Sequence, residues 1–281
     1  TTLYYKNSSV TASDVITVTG TNTSAPYCVN TATVTMTVQA NPVASISVSP
    51  STTSVCSGNT VTLNGVVAGS QAGTATIGTN GTTLGTTTTQ MGLTPFSGYY
   101  GSQHTQYLIT ASSLTAKGLV AGNLTALALD VTAVNSTQAY TGYTVKVGHS
   151  TATGLTAAVS TPLTTVYTSD YTPSVGLNVF TFGTGGTSSS FAWDGTSNLI
   201  VDVCFYNTSF SNNDVVKATA TSPSYTCTYG YYRDGASLCD VTYTTTTSST
   251  SLPDITFYGQ KYLNIASNYT WSWTSNLGGS I

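Results

Sequence analysis

Residues able to do acid–base or nucleophilic chemistry are few in this chain. There are two histidines, His104 and His149, and nine acidic residues, all of them Asp. A Ser-His-Asp triad would have to use one of those histidines. Neither lies near a nucleophile elbow, and no Gly-x-Ser-x-Gly sequence occurs. With Glu absent, the paired carboxylates of a glycosidase would both be Asp, and no two Asp form an obvious motif. Cys227 and Cys239 lack Cys-x-x-Cys spacing and have no nearby His, which argues against zinc. The expectation is a protein that is not an enzyme, with no catalytic or cofactor-binding residue. Calcium takes Asp and carbonyl oxygens, which Asn212, Asn213 and Asp214 can offer, although the same triplet also reads as a turn.

The best binding candidate is an aromatic-polar cluster. Tyr99 and Tyr100 stand between glycines and are followed by Gln103 and His104. Farther on, Tyr231, Tyr232, Arg233 and Asp234 follow Tyr229 and Gly230, and Arg233 is the only Arg in the chain. Flat sugar faces stack on Tyr, while Arg and Asp supply fixed hydrogen bonds to hydroxyls. The competing reading sends alternate tyrosines into the core and pairs Arg233 with an Asp. For the cysteines, Cys204, Cys227 and Cys239 leave one odd thiol. A Cys204–Cys239 bridge closes the longer loop, which chain entropy favours. Cys227 shares a face with Tyr225 and Tyr229, where it can simply pack; Cys227–Cys239 is the local alternative.

The elements that must position these residues are strands. Only 5% of the 281 residues are charged and about a fifth are Thr. The good helix formers are scarce, while Thr, Val and Tyr suit a pleated, half-buried surface. A net charge of −3 excludes a basic nucleic-acid binder, and no apolar run approaches the roughly 20 residues that a membrane helix needs. Asp14 to Gly20 and Thr31 to Val38 read as strands, as do Ile46 to Val48 and Val61 to Leu63, with Cys28 and Cys56 in the intervening loops. Gly, Thr and Ser crowd residues 69–89 and mark a boundary. From 73 to 260, eight or more strands, among them Leu199 to Phe205, suggest a jelly-roll sandwich. One helical turn is expected at Ser112–Gly118, with Ser112 as its cap. Five cysteines in a charge-poor β chain point to an oxidising, extracellular setting. The chain opens in mid-pattern, as a segment of a longer exported protein would.

Val55-Cys-Ser-Gly58 with Val61-Thr-Leu63 resembles the opening of immunoglobulin-like modules common in exported proteins of the Bacteroidetes. The Trp strand of that family is matched by Tyr269-Thr-Trp-Ser-Trp273, and its closing strand, Cys loop and Thr/Val strand by residues 14–38. The order is permuted, and the flanking pieces together are about the size of one such module of ~100 residues. Residues 106–114, 191–201 and 231–234 resemble a jelly-roll domain of giant surface adhesins similar to the flavobacterial gliding-motility adhesin, exported by type IX secretion. The resemblance implies an all-β chain: an immunoglobulin-like sandwich split across repeat boundaries (1–41 closing one module, 42–72 opening the next, 261–281 continuing it) with a jelly roll inserted at 73–260. It implies a repeat of an extracellular cell-surface filament that mediates attachment or gliding motility. Adjacent copies would meet head to tail, Cys56 of one bridging Cys28 of the next. Surface polysaccharide or substratum is the expected contact, with no nucleic acid and no membrane insertion. A lectin-like module is the alternative, and a polysaccharide-acting enzyme ranks last.

Overall fold

The computed structural model describes residues 15–21, 29–35, 43–49, 62–68, 70–79, 81–87, 90–160, 162–221, 224–241 and 246–262. The chain divides into two compact units, Thr1–Gln71 with Leu263–Ile281, and Ala72–Tyr262. In the first, β1 (Val15–Thr21) pairs antiparallel with β2 (Val29–Thr35), and β3 (Val43–Ser49) with β4 (Thr62–Ala68). Cys28, Cys56 and the Trp segment 269–273 lie outside the described residues, so the immunoglobulin-like pattern and its bridge between copies do too.

The second unit is all-β. Its strands are β5 (Ser70–Ile77), β6 (Thr82–Leu84), β7 (Ser102–Ile109), β8 (Gly122–Leu124), β9 (Ala126–Ala133), β10 (Tyr140–Ser150), β11 (Thr164–Tyr171) and β12 (Gly176–Thr181), followed by β13 (Phe191–Trp193), β14 (Asn198–Tyr206), β15 (Val215–Ala220), β16 (Thr228–Arg233), β17 (Thr246–Ser249), β18 (Ser251–Pro253) and β19 (Ile255–Tyr262). A six-stranded sheet runs β11-β10-β14-β7-β16-β17, and a second runs β18-β15-β9-β19-β5, with β12 on β9 and β6 on β15. One hydrophobic core joins them: Tyr107, Val145 and Val203 of the first sheet cluster with Leu127, Val216 and Phe257 of the second. The entering strand β5 neighbours the departing strand β19, with Gly73 against Lys261.

Period-2 alternation decides what each sheet face receives. In β14, Leu199, Val201, Val203 and Phe205 enter the core, whereas Ile200, Asp202 and Cys204 take the outer face. Those three are buried as well, because further chain covers them. Ile200 and Leu108 form a small second core with Leu155, and Val159 and Leu163 pack against it. Gly148 of β10 lets that covering chain approach: a Cβ there would collide with the Pro162 carbonyl and the Leu163 side chain.

The single helix among the described residues, α1 (Ala111–Ala116), starts one residue before the expected turn. Thr110, not Ser112, is its cap, accepting the Ser113 N–H. Gly118 follows in the left-handed region at φ 84°. The Cys204–Cys239 bridge is present, with the Cα atoms 5.2 Å apart, and Cys227 is a free, buried thiol. Cys227 packs in the main core, while Tyr229 packs with the small outer one and Tyr225 touches both. The shared face expected for Cys227 and Tyr229 is therefore not formed, because β16 begins only at Thr228 and its alternation does not extend back to Cys227.

Candidate functional site

Antiparallel register builds two side-by-side rows on the outer face of the six-stranded sheet. Lys146, Asp202, Gln106 and Tyr229 align across β10, β14, β7 and β16; Thr144, Cys204, His104 and Tyr231 form the adjacent row. His104 Nε2 lies 2.7 Å from Asp202 Oδ2, and Gln106 Nε2 donates to the same oxygen at 2.9 Å. His104 is 8% exposed and Asp202 1%. Asp202 Oδ1 is buried with no hydrogen-bond partner. A buried polar group left in that state costs about 1–3 kcal/mol, and more when charged.

Two covering segments wall a cleft of about 370 Å³ over these residues, within the range of about 300–1,000 Å³ usual for small-ligand sites. The first, residues 151–160, is clasped by Gln106, whose Oε1 accepts the Val159 N–H at 2.7 Å and whose Nε2 donates to the Val159 carbonyl at 3.2 Å. The second, residues 234–241, is anchored by the disulfide and by buried Leu238, whose N–H donates to Ser102 Oγ. Lys146 Nζ donates to the Cys239 carbonyl at 3.1 Å and lies 3.6 Å from Asp240. His104 Nδ1 faces the Val241 carbonyl at 3.4 Å.

Both ring nitrogens of His104 thus face acceptors, an arrangement that suits the imidazolium. Burial by itself lowers its pKa; the Asp202 hydrogen bond and charge, helped by the Val241 carbonyl, outweigh burial and the opposing Lys146 charge, so the net shift is upward. A raised histidine pKa adds stability that is fully present below the unfolded value and is lost as pH rises through the folded one. The stability margin of the wild type over His104→Gln should therefore be larger at about pH 5.5 than at about pH 9. Urea unfolding of both proteins at the two pH values checks this, and a margin that grows with pH contradicts it. The same geometry does not assemble a triad: the nitrogen opposite Asp202 faces a backbone carbonyl, not a hydroxyl.

The predicted aromatic cluster separates into two groups. Tyr231 joins His104, ring centroids 6.0 Å apart, and is 6% exposed. Tyr99, Tyr100 and Tyr232 form another group, with Tyr100 4.8 Å from Tyr232 and Tyr99 at its rim. Tyr232 pairs in register with Gln103, whose buried amide braces Thr94, Ser97 and Thr105. Asp234 Oδ1 accepts the Gly101 N–H, and Arg233 Nε donates to the Asp234 carbonyl. Asp202, Gln106 and Lys146 were not singled out from the sequence. The one available signal was a lone Asp inside the apolar run Leu199 to Phe205.

In the candidate calcium loop, Asp214 and Asn213 use their side-chain oxygens internally. Asp214 Oδ1 accepts the N–H groups of Asn135 and Ser136, and Oδ2 the Tyr140 hydroxyl. Asn213 Oδ1 accepts from Ser97 and Tyr99, and the Asn212 amide donates to the Asn135 carbonyl. A cation at Asp214 and Asn213 would have to displace those donors. Among the described residues no group of three or more His, Cys or Asp is placed to hold a metal ion, and no helix is long and apolar enough to cross a membrane.

Comparison with known proteins returns nothing similar: no family model, no curated protein and no solved structure matches the chain.

Proposed function

We propose that the chain is a structural and adhesive repeat of an extracellular cell-surface filament, and that the unit Ala72–Tyr262 is its contact module. The observation that supports this reading most is that β5 and β19, where the chain enters and leaves the unit, are neighbours in one sheet. A module held at adjacent ends branches off a chain without interrupting its path, which suits a contact element on a filament. The disulfide fits an oxidising exterior. A His–Asp pair whose second nitrogen faces a backbone carbonyl suits binding better than a Ser-His-Asp mechanism.

The test uses beads coated with the full chain, on bare glass and on polysaccharide-coated glass under flow. Retention above that of beads coated with albumin is expected on at least one surface, with no reducing sugar released. Retention no better than albumin contradicts the adhesive reading, and release of reducing ends contradicts the assignment as a non-enzyme.

A further inference from the structure

We infer that the cleft over the Lys146–Asp202–Gln106 row is a binding site for a neutral saccharide, read through one hydroxyl that donates to Asp202 and accepts from Lys146. The inference deepens the contact-module reading and rests on it. Asp202 lines the cleft and is nine-tenths buried, and its Oδ1 has no donor in the protein. The other three polar groups at the floor are already committed. Gln106 is spent on Val159 and Asp202 Oδ2, His104 on Asp202 Oδ2 and Val241, and Asp202 Oδ2 on His104 and Gln106. Asp202 is thus the floor residue that still has an acceptor to be met.

Charge narrows the class of donor that can meet it. Lys146 and His104 stand beside Asp202, and Asp240 stands beside Lys146, so groups of both signs face the cleft. An ammonium group brought to Asp202 would meet Lys146 and His104, and a carboxylate or sulfate would meet Asp202 and Asp240. A hydroxyl donates and accepts at once. It can satisfy the orphan carboxylate oxygen and take a hydrogen bond from an ammonium that has protons beyond the one given to the Cys239 carbonyl. The remaining lining includes Ala158, Val159 and Leu163, apolar surface of the kind that packs on the C–H faces of a sugar ring. Hydroxyl pairs are repeated along a polysaccharide, so weak sites on successive filament copies would add through multivalency.

The experiment measures binding of the full chain to immobilised dextran, mannan, agarose and the polyanion alginate, for the wild type, Lys146→Met and Lys217→Met. Lys217 pairs with Asp130 on the other sheet and serves as the control. The wild type is expected to bind at least one neutral polysaccharide and not alginate, Lys146→Met to bind it about tenfold or more weakly, and Lys217→Met to bind as the wild type does. A second reading needs no variant: because Cys239 lines the cleft, the bound polysaccharide should slow reduction of Cys204–Cys239 by dithiothreitol several-fold. Equal binding by Lys146→Met and wild type, or an unchanged reduction rate, overturns the site. Preference for alginate, or no binding to any neutral polysaccharide while beads still adhere to glass, overturns the ligand class and leaves the adhesive reading standing. Loss of bead adhesion on every surface removes that reading itself.

Discussion

Tyr143→Ala is expected to lower unfolding stability by about 3–5 kcal/mol, the range for removing a large buried aromatic, while Tyr143→Phe is expected to be neutral or slightly stabilising. Tyr143 is fully buried, with ring centroids 5.3 Å from Phe96, 5.2 Å from Phe180 and 5.8 Å from Tyr171. Those rings come from β10, β11, β12 and the segment before β7, so the cluster ties the two sheets together. Truncation to Ala would open a cavity among rigid rings that have little freedom to collapse into it. The hydroxyl contributes nothing comparable: Tyr143 Oη is buried without a partner, and burial holds its pKa well above the ordinary value. Deleting it removes an unmet desolvation cost and leaves the ring contacts intact. Urea unfolding of both variants decides the matter. A Phe variant as damaged as the Ala variant would mean that the hydroxyl, not the ring, does the stabilising.

The Cys204→Ser, Cys239→Ser double variant is expected to lose about 3–4 kcal/mol, the chain-entropy value for a loop of this length; the cysteines are 35 positions apart. The loss should also be local. Residues 234–241 would keep Leu238, the Lys146 contact and the His104 contact, but no covalent tie to the floor of the cleft. Proteolysis should therefore cut first in that segment. Cys227, the third cysteine of this unit, is poorly placed to exchange with the bridge. Cys227 is buried in the core, and burial pushes its thiol pKa up to about 11, so little thiolate is present to attack a disulfide at neutral pH. Iodoacetamide labelling of the folded wild type, read by peptide mass, should leave Cys227 unmodified. Rapid labelling there, or stability of the double variant equal to that of the wild type, would contradict this account of the cysteines.

What the sequence made legible was whatever depends on one strand at a time. Thr, Val and Tyr enrichment announced strands, and the apolar run Leu199 to Phe205 announced a strand buried along its length. The Cys204–Cys239 bridge followed from loop length among three cysteines. The cap of α1 was misplaced by two residues because Thr110 and Ser112 are equally good acceptors and only the backbone decides between them. The cleft was not legible, since Lys146, Asp202 and Gln106 come from three strands and meet only through the registers of β10 with β14 and β14 with β7. Register also divides the tyrosine run. Tyr231 pairs with His104 and Tyr232 with Gln103, so adjacent residues in sequence fall on opposite faces.

The central claim is that the outer face of the six-stranded sheet, under its two covering segments, is the surface that meets the ligand. Amide hydrogen exchange on the full chain, with and without the polysaccharide that retains the coated beads, tests it directly. Protection is expected in residues 151–160 and 234–241 and along the partners that hold them, β7 and β14. Protection confined to the other sheet, on β5, β9 or β19, with the cleft segments exchanging as fast as in the free protein, would contradict it.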